Sequence, residues 1–142
     1  MHSVLLAHMK GVITVRKKIT LSTGVLRVEP GTVSAVVNLV NLDNRRHQVR
    51  VEVWNWSLFS NPSLIPVLIG NNVPVTFPYV LEPNNLAVMY ANLVGVLFYE
   101  IRVTYSDNKN IITNCFGRSG TLAAQEGNTV LDHQLVQIDP DC

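Results

Sequence analysis

The chain has 142 residues and a mass of 15.8 kDa, the size of one globular domain with a single core. Apolar residues make up 47% against 15% charged, and mean hydropathy is +0.21, which excludes a disordered polar chain. A net charge of +1 and a pI near 7.8 provide no overall field toward nucleic acid or anionic lipid. The longest near-apolar run, residues 86–99, contains Asn92 and Gly95 and is too short for a membrane span.

In chain order, residues 1–11 carry apolar Val4, Leu5, Leu6 and Met9 with no turn or cap chemistry of their own. The apolar piece is too short and too early broken by His8 for an export signal. This segment is expected to be an N-terminal connector arm, with the domain proper over 12–142. Residues 12–21 then alternate with period two and read as one strand, Ile13, Val15, Ile19 and Leu21 on its apolar face. Further strands are expected over 25–28, 32–40 and 48–56, separated by turns at Gly24 and Pro30-Gly31 and by a polar loop over 41–47. In the last of these, Val49, Val51 and Val53 alternate with Arg50, Glu52, Trp54 and Trp56.

Residues 57–72 read as a long irregular connection with a short apolar piece at 64–69. Residues 73–80 read as an edge strand because Pro74 and Pro78 cannot donate to a ladder. After a turn at 82–85, strands are expected over 86–93, 97–105, 110–116 and 128–138. The one helix-friendly piece, 122–126, is too short to nucleate alone. Eight or nine short strands and no helix point to an all-β sandwich of jelly-roll or Greek-key type.

Chemistry is sparse. The four histidines, His2, His8, His47 and His133, form no evident set of nucleophile, base and orienting group, so neither enzymatic activity nor a cofactor or metal is expected. Cys115, mid-strand, reads as a small core hydrophobe, and Cys142 as a terminal thiol; the two are candidates for a disulfide only if the tail comes near the strand. Trp54 and Trp56 share a face and form a candidate ligand platform for carbohydrate or a protein partner. Arg45, Arg46, His47 and Arg50 have the charge to grip phosphate, but without interleaved aromatics they read as a solvated loop. Residues 1–50 hold eight basic and two acidic residues, the remainder three basic and eight acidic, so the two parts of the chain carry opposite charge.

An apolar arm over Met1 to Gly11 followed by strands from Val12 to Ile138 resembles the subunits of endospore appendages, the spore-surface fibres of spore-forming bacilli. The resemblance implies a single jelly roll whose N-terminal connector reaches into the preceding subunit. It also implies copies of itself as partners in a head-to-tail homopolymer, and a place on a cell or spore surface. Members of that group with cysteines in the connector cross-link successive subunits; here no cysteine precedes Cys115, which implies a fibre held by strand exchange. The residues then expected at the subunit interface are Val4, Leu5, Leu6, Met9, Val12, Ile13, Val15, Ile19 and Leu21. The rival reading is a carbohydrate- or protein-binding β-sandwich module that uses Trp54 and Trp56.

Overall fold

The computed structural model describes residues 17–140 fully and, before them, the backbone of two strands, Val4–His8 (β1) and Gly11–Val15 (β2). Two large antiparallel sheets pack face to face. The elements after β2 are Lys18–Ser22 (β3), Leu26–Arg27 (β4), Thr32–Asn41 (β5), His47–Asn55 (β6), Ser63–Ile65 (β7), Leu68–Ile69 (β8), Val73–Pro74 (β9) and Tyr79–Leu81 (β10). Leu86–Asn92 (β11), Phe98–Ser106 (β12), Ile111–Ser119 (β13), Ala124–Val130 (β14), a single 3-10 turn at Asp132–Gln134 and Val136–Ile138 (β15) complete the described residues.

One sheet runs β10-β6-β12-β3-β15, with β4 on β12 and β7 on β6; the other runs β14-β13-β5-β11-β8-β9. Numbering β3, β5, β6, β8, β9, β10, β11 and β12 from first to eighth, the first sheet contains the order sixth-third-eighth-first and the second the order second-seventh-fourth-fifth. That is the double Greek key of a jelly roll, as the alternation and turn spacing predicted. The strands β13, β14 and β15 widen the two sheets at one side.

The period-two pattern places the core. Val49, Val51 and Val53 of β6 and Tyr99, Ile101, Val103 and Tyr105 of β12 face Ala35, Val37 and Leu39 of β5 and Ala87, Met89 and Ala91 of β11, all buried. Burying each of the larger of these side chains supplies about 1.5–3 kcal/mol, which opposes the cost of ordering the backbone. The outer face of the first sheet is polar. Glu100, 5% exposed, accepts hydrogen bonds from Ser22 Oγ (2.5 Å), Trp56 Nε1 (3.0 Å) and Arg102 Nε (3.0 Å).

Five expectations are corrected. Residues 12–21 are not one strand: Gly11–Val15 pairs with Val4–His8, whereas Lys18–Ser22 pairs with β12 and β15. The N-terminal arm therefore has a local fold, an antiparallel hairpin in the register Val4↔Val15 to His8↔Gly11. Residues 73–80 divide between sheets, β9 pairing with β8 and β10 with β6. Residues 128–138 divide as well: Asp132 N donates to Asn114 Oδ1 and Asp132 Oδ1 accepts from Thr113 N, which holds the chain in a turn between β14 and β15 and puts His133 there rather than in a strand. Finally, Leu122 sits in a turn at φ 67°, and 124–126 begin β14 instead of a helix.

Candidate functional site

An apolar opening lies at one end of the sandwich, where the β4–β5, β6–β7 and β11–β12 connections meet. It is a cleft of about 640 Å³ lined by Val28, Val33, Phe59, Val94, Leu97 and Phe98 among others. Backbone hydrogen bonds fix its walls: Val28 N to Leu97 O (2.9 Å) and Leu93 N to Val33 O (2.9 Å). Asn128, 1% exposed, braces the β4–β5 wall from β14, accepting from Glu29 N (2.7 Å) and donating to Arg27 O (2.7 Å). It fits there because Gly117 lies beneath it: a Cβ at Gly117 would sit 2.8 Å from Asn128 Cβ and from Thr32 Cγ2.

What distinguishes the cleft is the apolar surface left open around it. Phe59 is 79% exposed, Val94 71% and Leu97 60%, and Leu58, next to Phe59, is 80% exposed. Phe59 is held at φ 66°, a left-handed conformation unfavourable for a bulky side chain, and its ring meets that of Phe98 edge to face. Large side chains on the tips of rigidly bonded loops mark an interaction site rather than a folding need. The sequence reading missed this site. Its signal was present in Leu58-Phe59 and in Val94-Gly95-Val96-Leu97, apolar residues set among turn formers where no strand face accounts for them.

The N-terminal segment enters the sandwich at the opposite end. Lys17 O accepts from Asp107 N (2.8 Å), and Lys18 pairs with Ser106, the last residue of β12, whereas Phe98 at the start of β12 lines the cleft. The nine residues of β12 separate the two points by about 26 Å, from the strand rise. Of the expected interface residues, Ile19 is buried in the core and Leu21 packs partly against it. Val4, Leu5 and Leu6 lie in β1, and Val12, Ile13 and Val15 in β2. Met9 lies outside the described residues.

Trp54 and Trp56 do share the outer face with Arg50 and Glu52, but as parts of a closed network. The Arg102 guanidinium lies over the Trp54 ring at 5.2 Å, Trp54 Nε1 donates weakly to Glu52 Oε1 (3.4 Å) and Trp56 Nε1 donates to Glu100. One ring face and both indole N–H groups are thus already used.

Cys115 is 1% exposed and free, with its thiol pushed up to about 12 by burial and by the charge of Asp132. Cys142 lies outside the described residues. Among the described residues no group of three His, Cys, Asp or Glu could hold a metal ion, and no helix is long and apolar enough to cross a membrane. No family model matches the chain, and no curated protein or solved structure is significantly similar to it.

Proposed function

We propose that the protein is a non-enzymatic structural subunit that assembles head to tail, the N-terminal segment of one copy docking in the apolar cleft of the next, to form a fibre or appendage on a cell or spore surface. The observation that carries this reading is the placement of an apolar arm and an apolar cleft at opposite ends of β12. A hairpin of five-residue strands is about 14 Å long, shorter than the roughly 26 Å along β12 to its own chain's cleft, so occupation of a cleft by this segment calls for a second copy. A contact between unlike surfaces at opposite ends is heterologous, and it propagates as a filament wherever the rotation between copies does not close a ring.

Docking of side chains into the cleft is better supported than strand addition along a sheet edge. The edge strands β9, β10 and β15 have only two or three residues each, and β9 includes Pro74. The seven-residue edge strand β14 is interrupted by a register shift opposite Cys115 and Gly117, and its Gln125 and Gly127 carbonyls already accept from Thr129 Oγ1 (2.8 Å) and Asn128 Nδ2 (3.2 Å). Burying Val4 and Leu6, which share one face of a strand by its period of two, would supply on the order of 3 kcal/mol, at about 1.5 per side chain, before ordering costs. A carbohydrate-binding module is the weaker reading because Arg102 covers Trp54.

Negative-stain microscopy of the purified full chain and of a chain lacking residues 1–16 tests the reading. Filaments from the first and single particles from the second are expected. Single particles from both, or filaments from both, overturn it.

A further inference from the structure

At the end of the sandwich opposite the cleft, the β5–β6 and β12–β13 loops enclose an open cup of about 680 Å³, whose lining includes Asp43, Arg45, Arg46, His47, Asn108 and Lys109. The loop that carries Arg45 and Arg46 is shaped by Asn41, which has no exposed surface. Asn41 Nδ2 donates to Arg45 O (2.8 Å) and to Leu81 O (3.0 Å), and its Oδ1 accepts from Asp43 N (2.9 Å). A wholly buried amide thus ties two points of the loop, Asp43 and Arg45, to Leu81 of β10 and fixes the backbone that carries the two arginines.

Two carboxylates line the cup, Asp43 and Asp107, and both have partners. Asp43 Oδ2 accepts from His47 Nε2, in the tautomer that the 2.7 Å contact requires, and from Asn108 Nδ2 (3.0 Å), while Oδ1 accepts from Asn44 N (2.8 Å). His47 and the Asn44 amide thereby hold the Asp43 carboxyl below its ordinary range. Asn108 Oδ1 accepts in turn from Asn110 N (2.8 Å), so the β12–β13 loop and its Lys109 are tied to the same anchor.

The cations of the cup are left over. Among the described residues Arg46 has only Glu82 at 3.8 Å, with both side chains largely open to solvent, and no carboxylate lies within 4 Å of Arg45 or Lys109. Arg102, by contrast, engages Glu100 and Trp54, and Arg118 the Tyr90 ring and Ser34. Arg50, grouped with this cluster by its sequence, lines a different depression beside Leu64 and Phe77, and Lys109 takes its place.

We propose that the cup binds a compact multivalent oxyanion of phosphate type, presented either as a free ion or along a polyanionic polymer. Two arginine forks and an ammonium supply charge-assisted donors, and the absence of Phe, Tyr or Trp from the lining leaves nothing for a nucleobase to stack on. The cup and the cleft share no residue, so this proposal stands apart from the assembly reading.

Equilibrium dialysis of the full chain against labelled tripolyphosphate at low salt tests it, with circular dichroism confirming that each variant is folded. Saturable uptake of one ion per chain is expected. Uptake should weaken by about tenfold or more in Arg45→Ser/Arg46→Ser and in Lys109→Ser, from the loss of charge-assisted hydrogen bonds, and stay unchanged in Arg50→Ser, which lines neither the cup nor the cleft. Long-chain polyphosphate binding far more tightly than tripolyphosphate identifies a polymer as the source, and equal affinity per group identifies the free ion; either supports the site. Unsaturable uptake, no uptake, or an equal loss in Arg50→Ser overturns it.

Discussion

The Phe59 ring meets Phe98 edge to face, with centroids 5.6 Å apart and planes at 67°, while 79% of Phe59 remains exposed. The contact positions the ring over the cleft without burying it, leaving a face for a second chain. Phe59→Ser combined with Leu97→Ser is therefore expected to abolish assembly in sedimentation assays. Unfolding free energy should move by no more than about 0.5 kcal/mol, as for surface substitutions in general. Normal assembly by this variant would show that the cleft is not the docking site.

Gly117 and Asn128 give a prediction about how the cleft is braced. Gly117→Ala forces a Cβ to 2.8 Å from both Asn128 and Thr32, and neither contact is with the flexible end of a long side chain. A loss of about 1–3 kcal/mol in urea unfolding is expected from overpacking. Because Asn128 holds Arg27 and Glu29, assembly should weaken as well.

Acid sensitivity follows from Glu100. Burial acts to raise its pKa, but the donors Arg102, Ser22 and Trp56 outweigh it and leave the value lowered. A folded-state pKa below the unfolded one contributes stability above the unfolded value, about 4.3, and that contribution is lost as pH falls through the folded value. Thermal melts should therefore decline below about pH 4.5, and Glu100→Gln should flatten that decline while costing about 1–3 kcal/mol at neutral pH, because Arg102 loses its partner. An unchanged pH slope in the variant would contradict this assignment.

Much of this architecture was legible in the alternation of Val49, Val51 and Val53 and of Tyr99, Ile101, Val103 and Tyr105, because period two in a half-buried strand admits one inward face. What escaped the sequence depends on contacts between distant residues. Nothing local to residues 128–138 announces that Asn114 and Thr113 hold Asp132 in a turn, and nothing between Val12 and Leu21 shows that Val4 pairs with Val15 while Thr20 pairs with Thr104. The cleft escaped for the opposite reason: Leu58, Phe59 and Leu97 follow no periodicity, and apolar residues in turns become a pattern only once the loops are brought together. The tryptophans were placed on the correct face, but their use by Glu100 and Arg102 requires the register of β6 with β12, in which Trp54 pairs with Glu100.

Cys115 bears on cross-linking. With its thiol at about 12 and its side chain in the core, it should resist alkylation at pH 8 in the native protein and react only after unfolding. Any disulfide-linked dimer formed under mild oxidation should then run through Cys142 and disappear in Cys142→Ser on a non-reducing gel. Dimers persisting in that variant would mean that Cys115 is reachable.

The central claim, that the arm of one copy occupies the cleft of another, is tested most directly by photo-cross-linking. A benzophenone amino acid in place of Leu5, in an equal mixture of ¹⁴N- and ¹⁵N-labelled chains, should give mixed-isotope peptide pairs joining residues 1–16 to residues 57–60 or 93–98. Cross-links confined within one chain, or joining the arm to the outer face around Glu100 and Arg102, would contradict it.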